Sequence, residues 1–386
     1  MAGLEQLGAA AVDEATLSEI VGRHLDLGGG IELDEVSVEE YPYDLPSITT
    51  AGRYLVRGRG HSGRRDHRFG LFVKVVQAFS RSPLFAQVPP ELRELADRTV
   101  PWRTEVNAYR SDLGRRLPAG LRMPTAVLVQ DLEDRQAALW LEEVAVVPAP
   151  WDSARYARAA RLLGRLAGSA RVAELAGLSG IDWTLRTYLE GRLLNAVVPA
   201  LHDEGVWSHP LVAGTFDDEL RRRLLAAAGR AAELVEEAMS LPHTASHGDA
   251  CPNNLLATEG DPDFTLIDYG FWMPQPIGAD LGQLLVGNVQ VGAERAGDLA
   301  ARDRANLAAY LTGLREEGSG VAEEDVERGH ALHLMLMTGL SSVPFELLDV
   351  DPTPARRVLA ADRAAIARFC LDRVDATSRA RPRPTR

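Results

Sequence analysis

Short apolar runs dominate the first 144 residues, and longer helical patterns dominate the rest. "IELDEVSVEEYPYDL", "RYLVRGR", "GLFVKVV", "AVLVQDLED" and "AALWLEEV" are rich in β-branched and aromatic residues and predict five strands. Asp13 to Leu27 has helical spacing ahead of them. Between the third and fourth strands, "PWRTEVNAYRSDLGRRL" predicts a helix with Pro101 in its first turn. The expected order is therefore strand, strand, strand, helix, strand, strand. "AVVPAPWDS", Ala145 to Ser153, has two prolines and no periodicity and reads as a linker. Beyond it lie Ala/Leu/Arg helices such as "SARYARAARLLGRLAGSA", with one strand-like island, "FTLIDYG". The expected organisation is α+β. Residues 1–144 form one lobe with an extra N-terminal helix, 145–371 form a helical lobe, and the basic, proline-rich 372–386 form a disordered tail.

Length supports two lobes, since 386 residues exceed what one core usually carries. With 46% hydrophobic and 25% charged residues, the composition is that of an ordinary soluble globular protein. No apolar run is long enough to span a membrane, and the N-terminus has no basic region ahead of an apolar one. Cys251 and Cys370 are too few for a disulfide framework, so a cytoplasmic location is expected. A net charge of −13 argues against nucleic acid and anionic membrane as partners.

One residue type is conspicuous. Lys74 is the only lysine among 42 basic residues, and it sits in the apolar run "FGLFVKVV". Arginine-rich coding alone can leave one lysine by chance, but an unpaired lysine in a buried strand is rare. A second motif offers a reason. "SHGDACPNNLL" (Ser246 to Leu256) and "FTLIDYG" (Phe264 to Gly270) contain Asp249, Asn254 five residues later and Asp268 fourteen after that. Phosphoryl transfer needs a carboxylate by the attacking hydroxyl, hard oxygen ligands for magnesium and a cation on the phosphates. Lysine supplies that cation as a compact point charge, whereas a guanidinium is wider and planar. Such a lysine needs a carboxylate to hold it, and Glu105 lies on the helix after the third strand.

The strand lysine, the helix glutamate, "HGD" with its later asparagine, and "IDYG" together resemble the aminoglycoside phosphotransferase and choline kinase-like family over roughly residues 45 to 285. The resemblance implies a two-lobed, protein-kinase-like fold. Its first lobe is an antiparallel sheet with one main helix, and its second is mostly helical. It implies Asp249 as base for the acceptor hydroxyl, Asn254 and Asp268 as magnesium ligands, and Lys74 with Glu105 at the nucleotide. It also implies that backbone groups of Glu142 to Val144, so Glu143 and Val144, meet the base edge. Asp280 is the expected brace of the catalytic loop, and His247 a packing and hydrogen-bonding residue of it. The phosphate-covering loop falls at 45–52 ("LPSITTAG"), which is poor in glycine. The 31-residue separation of Lys74 from Glu105 contains an insertion, placed either over the nucleotide or at the acceptor.

Other features receive plainer readings. "GRGHSG", Gly58 to Gly63, lies too close to Lys74 for a phosphate loop and reads as an exposed turn. His330 and His333 read as hydrogen-bonded residues of a helix face, and Cys251 as packing. From Ser246 to Pro352 there are 18 Asp/Glu against 5 Arg. That excess suits a cationic acceptor such as an amino sugar and equally suits a solvated acidic face. The expected function is transfer of the γ-phosphoryl of ATP or GTP to a hydroxyl of a small molecule. The rivals are a kinase of peptide or protein hydroxyls and a non-catalytic nucleotide-binding regulator. Only 12 residues separate Asp268 from Asp280, which disfavours a peptide acceptor.

Overall fold

Alternation along "RFGLFVKVVQ" assigns two faces to one strand, and both are covered. The computed structural model describes residues 3–42, 47–133, 135–181, 183–258 and 264–380. Its strands are β1 (Glu32–Glu40), β2 (Thr50–Ser62), β3 (Arg65–Gln77), the two-residue β4 (Leu121–Arg122), β5 (Ala126–Glu133) and β6 (Gln136–Glu142). All but β4 form an antiparallel sheet in the order β1-β2-β3-β6-β5. On one face Phe69, Leu71, Val73 and Val75 pack with Val56, Ala138 and Trp140 against Leu4, Leu7, Leu17, Ile20 and Val21. Those last three belong to helix α1 (Glu14–His24), whose N-cap Asp13 accepts a hydrogen bond from Thr16 N at 2.8 Å. On the other face Phe72, Val76, Leu139 and Leu141 pack against Val106. The N-terminal segment is thus the outer cover of the sheet.

The insertion after Lys74 folds into short turns and helix α2 (Arg93–Thr99), followed by α3 (Thr104–Arg110). Asp97 on α2 pairs with Arg135, at the start of β6, and accepts from Ser80 N. The insertion is therefore anchored at the end of the sheet away from residues 142–144. "GRGHSG" is not an exposed turn: Gly58 and Gly60 lie inside β2, and the turn falls at Gly63 and Arg64. A side chain at Gly58 would collide with the Glu35 carbonyl and the Phe69 ring, so close strand approach, not a turn, needs this glycine.

The second lobe is mostly helical, but it has four short strands where the pattern shows one. They are β7 (His243–Ser246), β8 (Leu255–Ala257), β9 (Phe264–Leu266) and β10 (Met273–Pro276). β7 pairs with β10, while β8 and β9 form a hairpin that β4 joins in parallel. Three- and four-residue strands give too few alternations to register in a sequence. The residues after β6 are tied to this hairpin, with a bridge from Val146 to Thr258 and Val147 N donating to Ala257 O at 3.0 Å. Helices α4 (Ser153–Gly168), α5 (Asp218–Gly229), α6 (Ala231–Met239), α7 (Asp280–Gln290), α8 (Leu299–Glu316), α9 (Glu323–Leu334) and α10 (Pro354–Ala380) build the rest. Residues 372–380, expected in a disordered tail, continue α10, where Val374 and Thr377 are buried. Residues 381–386 lie outside the described residues. Among the described residues no helix is long and apolar enough to cross a membrane.

Helices α4 and α8 approach through glycines on both sides. A Cβ on Gly313 would collide with the Arg161 carbonyl, and one on Gly164 with that of Tyr310. Gly313→Ala is expected to destabilise the fold by about 1–3 kcal/mol, the usual range for overpacking, although alanine has the better helix propensity. Gly320→Ala, where nothing lies within 4 Å, is the control. Denaturant midpoints measure both, and equal midpoints would rule out the close crossing.

Candidate active site

Strand alternation turns Lys74 to the face of β3 that carries Phe72 and Val76, toward α3. There its ammonium donates to Glu105 Oε2 at 2.5 Å and to Asp268 Oδ1 at 3.0 Å. Lys74 is 6% exposed and Glu105 3%. A buried ammonium loses hydration worth several kcal/mol, so it must be paired. Burial alone would lower the Lys74 pKa, but the charges of Asp268 and Glu105 outweigh it and hold the ammonium protonated. Burial also opposes ionisation of Asp268, yet Lys74 above all, with a smaller effect of Arg53, keeps its carboxyl below the usual range. Glu105, more deeply enclosed, is pushed up by burial. The two carboxylates come from different lobes, so this ion group joins them.

Asp268 has φ 64°, a left-handed conformation uncommon for a residue with a side chain but tolerated by aspartate. It sits directly after the β8–β9 hairpin, whose register pairs Leu255 with Leu266. Asn254 therefore stands beside Ile267, and Ile267 N donates to Asn254 O at 3.1 Å. The Asn254 amide donates to Asp249 O at 2.8 Å and Asp249 Oδ2 at 3.1 Å. This leaves its carbonyl oxygen as the free end of the amide. The Asp268 side chain keeps 41% of its surface open. An amide oxygen and a carboxylate are hard donors and suit a magnesium ion that retains several waters.

The loop carrying Asp249 is held from beneath. Asp280, the first residue of α7, accepts from His247 N at 3.0 Å and Gly248 N at 2.9 Å. Gly248 has φ 80°, and a side chain there would collide with the Phe271 carbonyl. His247 Nε2 lies 2.9 Å from Ile267 O, and its Nδ1 accepts from Asp249 N at 3.4 Å. That pair of contacts defines a neutral imidazole protonated on Nε2. It bonds the Asp249 loop to the Asp268 strand. Burial raises the Asp249 pKa above the usual aspartate value.

Glu143 and Val144 lie at the other end of the cleft. Glu142 N donates to Thr125 O at 2.9 Å and Glu143 N to Gly70 O at 3.1 Å, which continues the sheet ladder. The Glu143 carboxylate lies over Gly70 and pairs with Arg57 on β2. The Glu143 N–H and side chain are thus engaged by the sheet. Between this end and Lys74 the cleft face of the sheet is apolar, with Leu55 opposite Phe72 and Phe72 opposite Leu141. Tyr41, 47% exposed, sets its ring edge-on to Phe72 at 5.8 Å. Of the expected phosphate loop at 45–52, residues 45 and 46 lie outside the described residues.

Two residues at the site have no motif in the sequence. Arg53 stands directly opposite Lys74 in the β2–β3 register, and Tyr41 reaches the sheet through its ring. Only the period-2 spacing of Arg53, Leu55 and Arg57 hinted that they share a face.

The plainer reading of His330 is met by a specific contact. His330 Nε2 lies 2.7 Å from Asp303, which Arg373 also approaches. Burial depresses the His333 pKa to about 3. Burial, reinforced by the Asp249 charge, raises that of the Cys251 thiol to about 12, so it is no nucleophile. Among the described residues no three or more His, Cys, Asp or Glu side chains are grouped to hold a metal ion.

Residues 149–317 match the model of a family described as phosphotransferase enzyme family. The matched part of the chain contains Asp249, Asn254, Asp268 and Asp280. No curated protein matches the sequence. Among solved structures, the chain is similar to the amicoumacin kinase hAmiN in complex with AMP-PNP, Ca2+ and Ami, with 14% identity, 95% of this chain and 94% of that one covered, and TM-score 0.46. An aminoglycoside phosphotransferase from Alicyclobacillus acidocaldarius gives 14% identity, 84% and 92% coverage, and TM-score 0.47. The ethanolamine kinase of Plasmodium vivax gives 12%, 97% and 91%, and 0.43.

Asp280→Asn replaces one acceptor by an amide NH₂ facing a backbone N–H. Loss of a charge-assisted hydrogen bond in a buried setting costs about 1.5–3 kcal/mol. The expected result is a lower denaturation midpoint together with a loosened 247–249 loop. Faster amide exchange at Gly248 reports the latter. Unchanged exchange there would mean that Asp280 does not hold the loop.

Proposed function

We propose that the protein transfers the γ-phosphoryl group of ATP or GTP to a hydroxyl of a small molecule. The observation that carries this reading is a continuous chain of contacts from Glu105 through Lys74 to Asp268, and from Ile267 through Asn254 to Asp249. It brings a phosphate cation, two hard oxygen donors and a carboxylate to one place from three separate segments. The base lies under the apolar strip of Leu55, Phe72 and Leu141, with its edge at Val144. Lys74 grips the phosphates. Asn254 and Asp268 would hold magnesium, which neutralises charge on the phosphate oxygens when bound. Asp249 orients the acceptor hydroxyl and takes its proton, while Asn254 fixes its carboxylate. Most of the rate comes from positioning and charge stabilisation, because the transition state is loose.

The acceptor is read as small. After Asp268, the chain turns, pairs as β10 with β7 and enters α7 at Asp280, so no segment is left to dock a peptide. The acidic excess does not by itself select a cationic acceptor. Glu316, Glu317, Asp303, Glu294 and Glu346 are paired with arginines or histidine. An ATP- and GTP-consumption screen over amino sugars, aminoglycosides, macrolides, nucleosides, choline and simple sugars tests the acceptor class. Turnover with none of them, but with peptides, would sink this reading.

Lys74→Arg keeps the charge but places a wider group between Glu105 and Asp268. At least a ~10²-fold fall in kcat/KM is expected. Near-normal turnover by this variant would make the lone lysine a codon accident. Asp249→Asn should bind nucleotide nearly normally while turnover falls about 10²–10⁴-fold. Asn254→Ala should weaken magnesium-dependent nucleotide binding as well. Calorimetry with and without magnesium, beside initial rates, separates the two. The pH dependence follows from burial of Asp249. A raised pKa means that the ionised base is present above it and lost as pH falls through it. The acid limb of kcat should therefore lie above the usual aspartate value of 3.8.

A further inference from the structure

Phe271 faces solvent where the aromatic residues flanking it do not. Tyr269 and Trp272 are fully buried, and Trp272 Nε1 donates to Leu175 O at 2.9 Å, whereas Phe271 keeps 37% of its surface exposed. Its backbone lies against the loop of the proposed base. A Cβ on Gly248 would come within 2.2 Å of Phe271 O and 2.7 Å of Phe271 Cβ, and Gly248 directly precedes Asp249. An apolar ring is therefore held open to water beside the residue before Asp249. Exposed apolar residues scattered singly are ordinary, but this one has company. The Trp183 ring stands edge-on to Phe271 at 6.0 Å, and the Tyr188 ring lies 6.2 Å from Trp183. Both are half-buried.

Local structure fixes where Trp183 stands. It precedes the helical turn Leu185–Tyr188, whose start is closed by a reciprocal cap: Thr187 N donates to Thr184 Oγ1 at 3.4 Å, and Thr184 N to Thr187 Oγ1 at 3.3 Å. Trp183 also walls a cavity of about 320 Å³ with Leu185, Met239 and Met273, to which Ser179 and Gln275 add a polar edge. Among the described residues that line this cavity there is no carboxylate and no arginine. A cation leaving water here would meet ring faces but no counter-charge, and its lost hydration outweighs what exposed cation–ring contacts return. A neutral ring loses no such hydration, and it gains contact area on aromatic neighbours.

We propose that Trp183, Tyr188 and Phe271 form a shelf for the acceptor, and that the acceptor is an uncharged alcohol with an apolar ring close to its hydroxyl. The ring rests on Trp183 and Phe271 while the hydroxyl reaches Asp249. This deepens the phosphotransfer reading above and rests on it. The three side chains determine specificity: they hold the acceptor by contact and shape, and they take no part in moving its proton.

The test is ligand-observed saturation-transfer NMR, run as a titration with benzyl alcohol, choline and glucosamine while ADP and magnesium fill the nucleotide site. The wild type should bind benzyl alcohol, with saturation reaching its ring protons, and bind choline and glucosamine more weakly. Trp183→Ala and Phe271→Ala should each weaken benzyl alcohol binding about 3- to 10-fold, the loss expected for one aromatic contact. Trp183→Phe should recover part of it. ADP affinity should be unchanged in all three variants, which also reports an intact fold. Val291→Ala removes an exposed apolar side chain just past the far end of α7 and should change nothing. In the consumption screen, neutral aryl alcohols should be phosphorylated, with KM raised and kcat nearly kept in both alanine variants. No binding of benzyl alcohol by the wild type would overturn the proposal. So would equal affinity in the wild type and both alanine variants, or tighter binding of choline or glucosamine. Shelf-dependent binding of benzyl alcohol without nucleotide consumption toward any acceptor would instead refute the phosphotransfer reading and leave the shelf as a site for neutral ring alcohols.

Discussion

The structure depends on one buried ion group. A lysine ammonium 6% exposed inside an apolar sheet is untenable alone, because its lost hydration exceeds what the surrounding side chains return. It is tenable here only because Glu105 and Asp268 arrive together, one from the helix behind the sheet and one from the strand end of the other lobe. Each carboxylate has its own anchor. Glu105 rides on α3, which packs through Val106 on Val76, Leu139 and Leu141. Asp268 is fixed by the hairpin and by a left-handed backbone turn. The same contacts that make the lysine tolerable place it where two lobes meet. Stability and the proposed chemistry therefore use one interaction, and weakening it would affect both.

Around that group the second lobe is organised as a set of short-range clamps. The β8–β9 hairpin puts Asn254 beside Ile267, and the neutral His247 ring bonds the Asp249 loop to the same strand. Asp280 closes the arrangement with two backbone N–H groups. None of these clamps is long in space, yet they join segments 13 to 33 positions apart in the chain. The residues after β6 bond to β8, so even the connection between the lobes belongs to this framework.

The readable and unreadable parts of the sequence divide along physical lines. The five long strands and the helix between them were legible, since 7 to 13 residues of strand give several periods of alternation. β7, β8 and β10 were not, because three or four residues cannot establish a period. The "GRGHSG" stretch was misread for a related reason. Glycines signal turns in isolation, but Gly58 and Gly60 are required by a neighbouring strand backbone and an aromatic ring that the local sequence does not contain. Residues 372–380 were misread as tail through the composition, although α10 buries Val374 and Thr377 there.

The sequence by itself determined the chemical inventory: one lysine, a carboxylate and amide at fixed spacing, and a helix glutamate after the third strand. It did so because motif spacing within a loop or hairpin is a local property. Only the tertiary structure decided which of these groups touch. It also set Arg53 opposite Lys74, engaged the Glu143 N–H with Gly70, and distributed the acidic residues among arginines. The reason is register. Alternation assigns each strand residue to one of two faces, but which residue stands across from it depends on how far one strand slides along the other. That offset is settled by packing over the whole sheet, between residues the sequence keeps far apart.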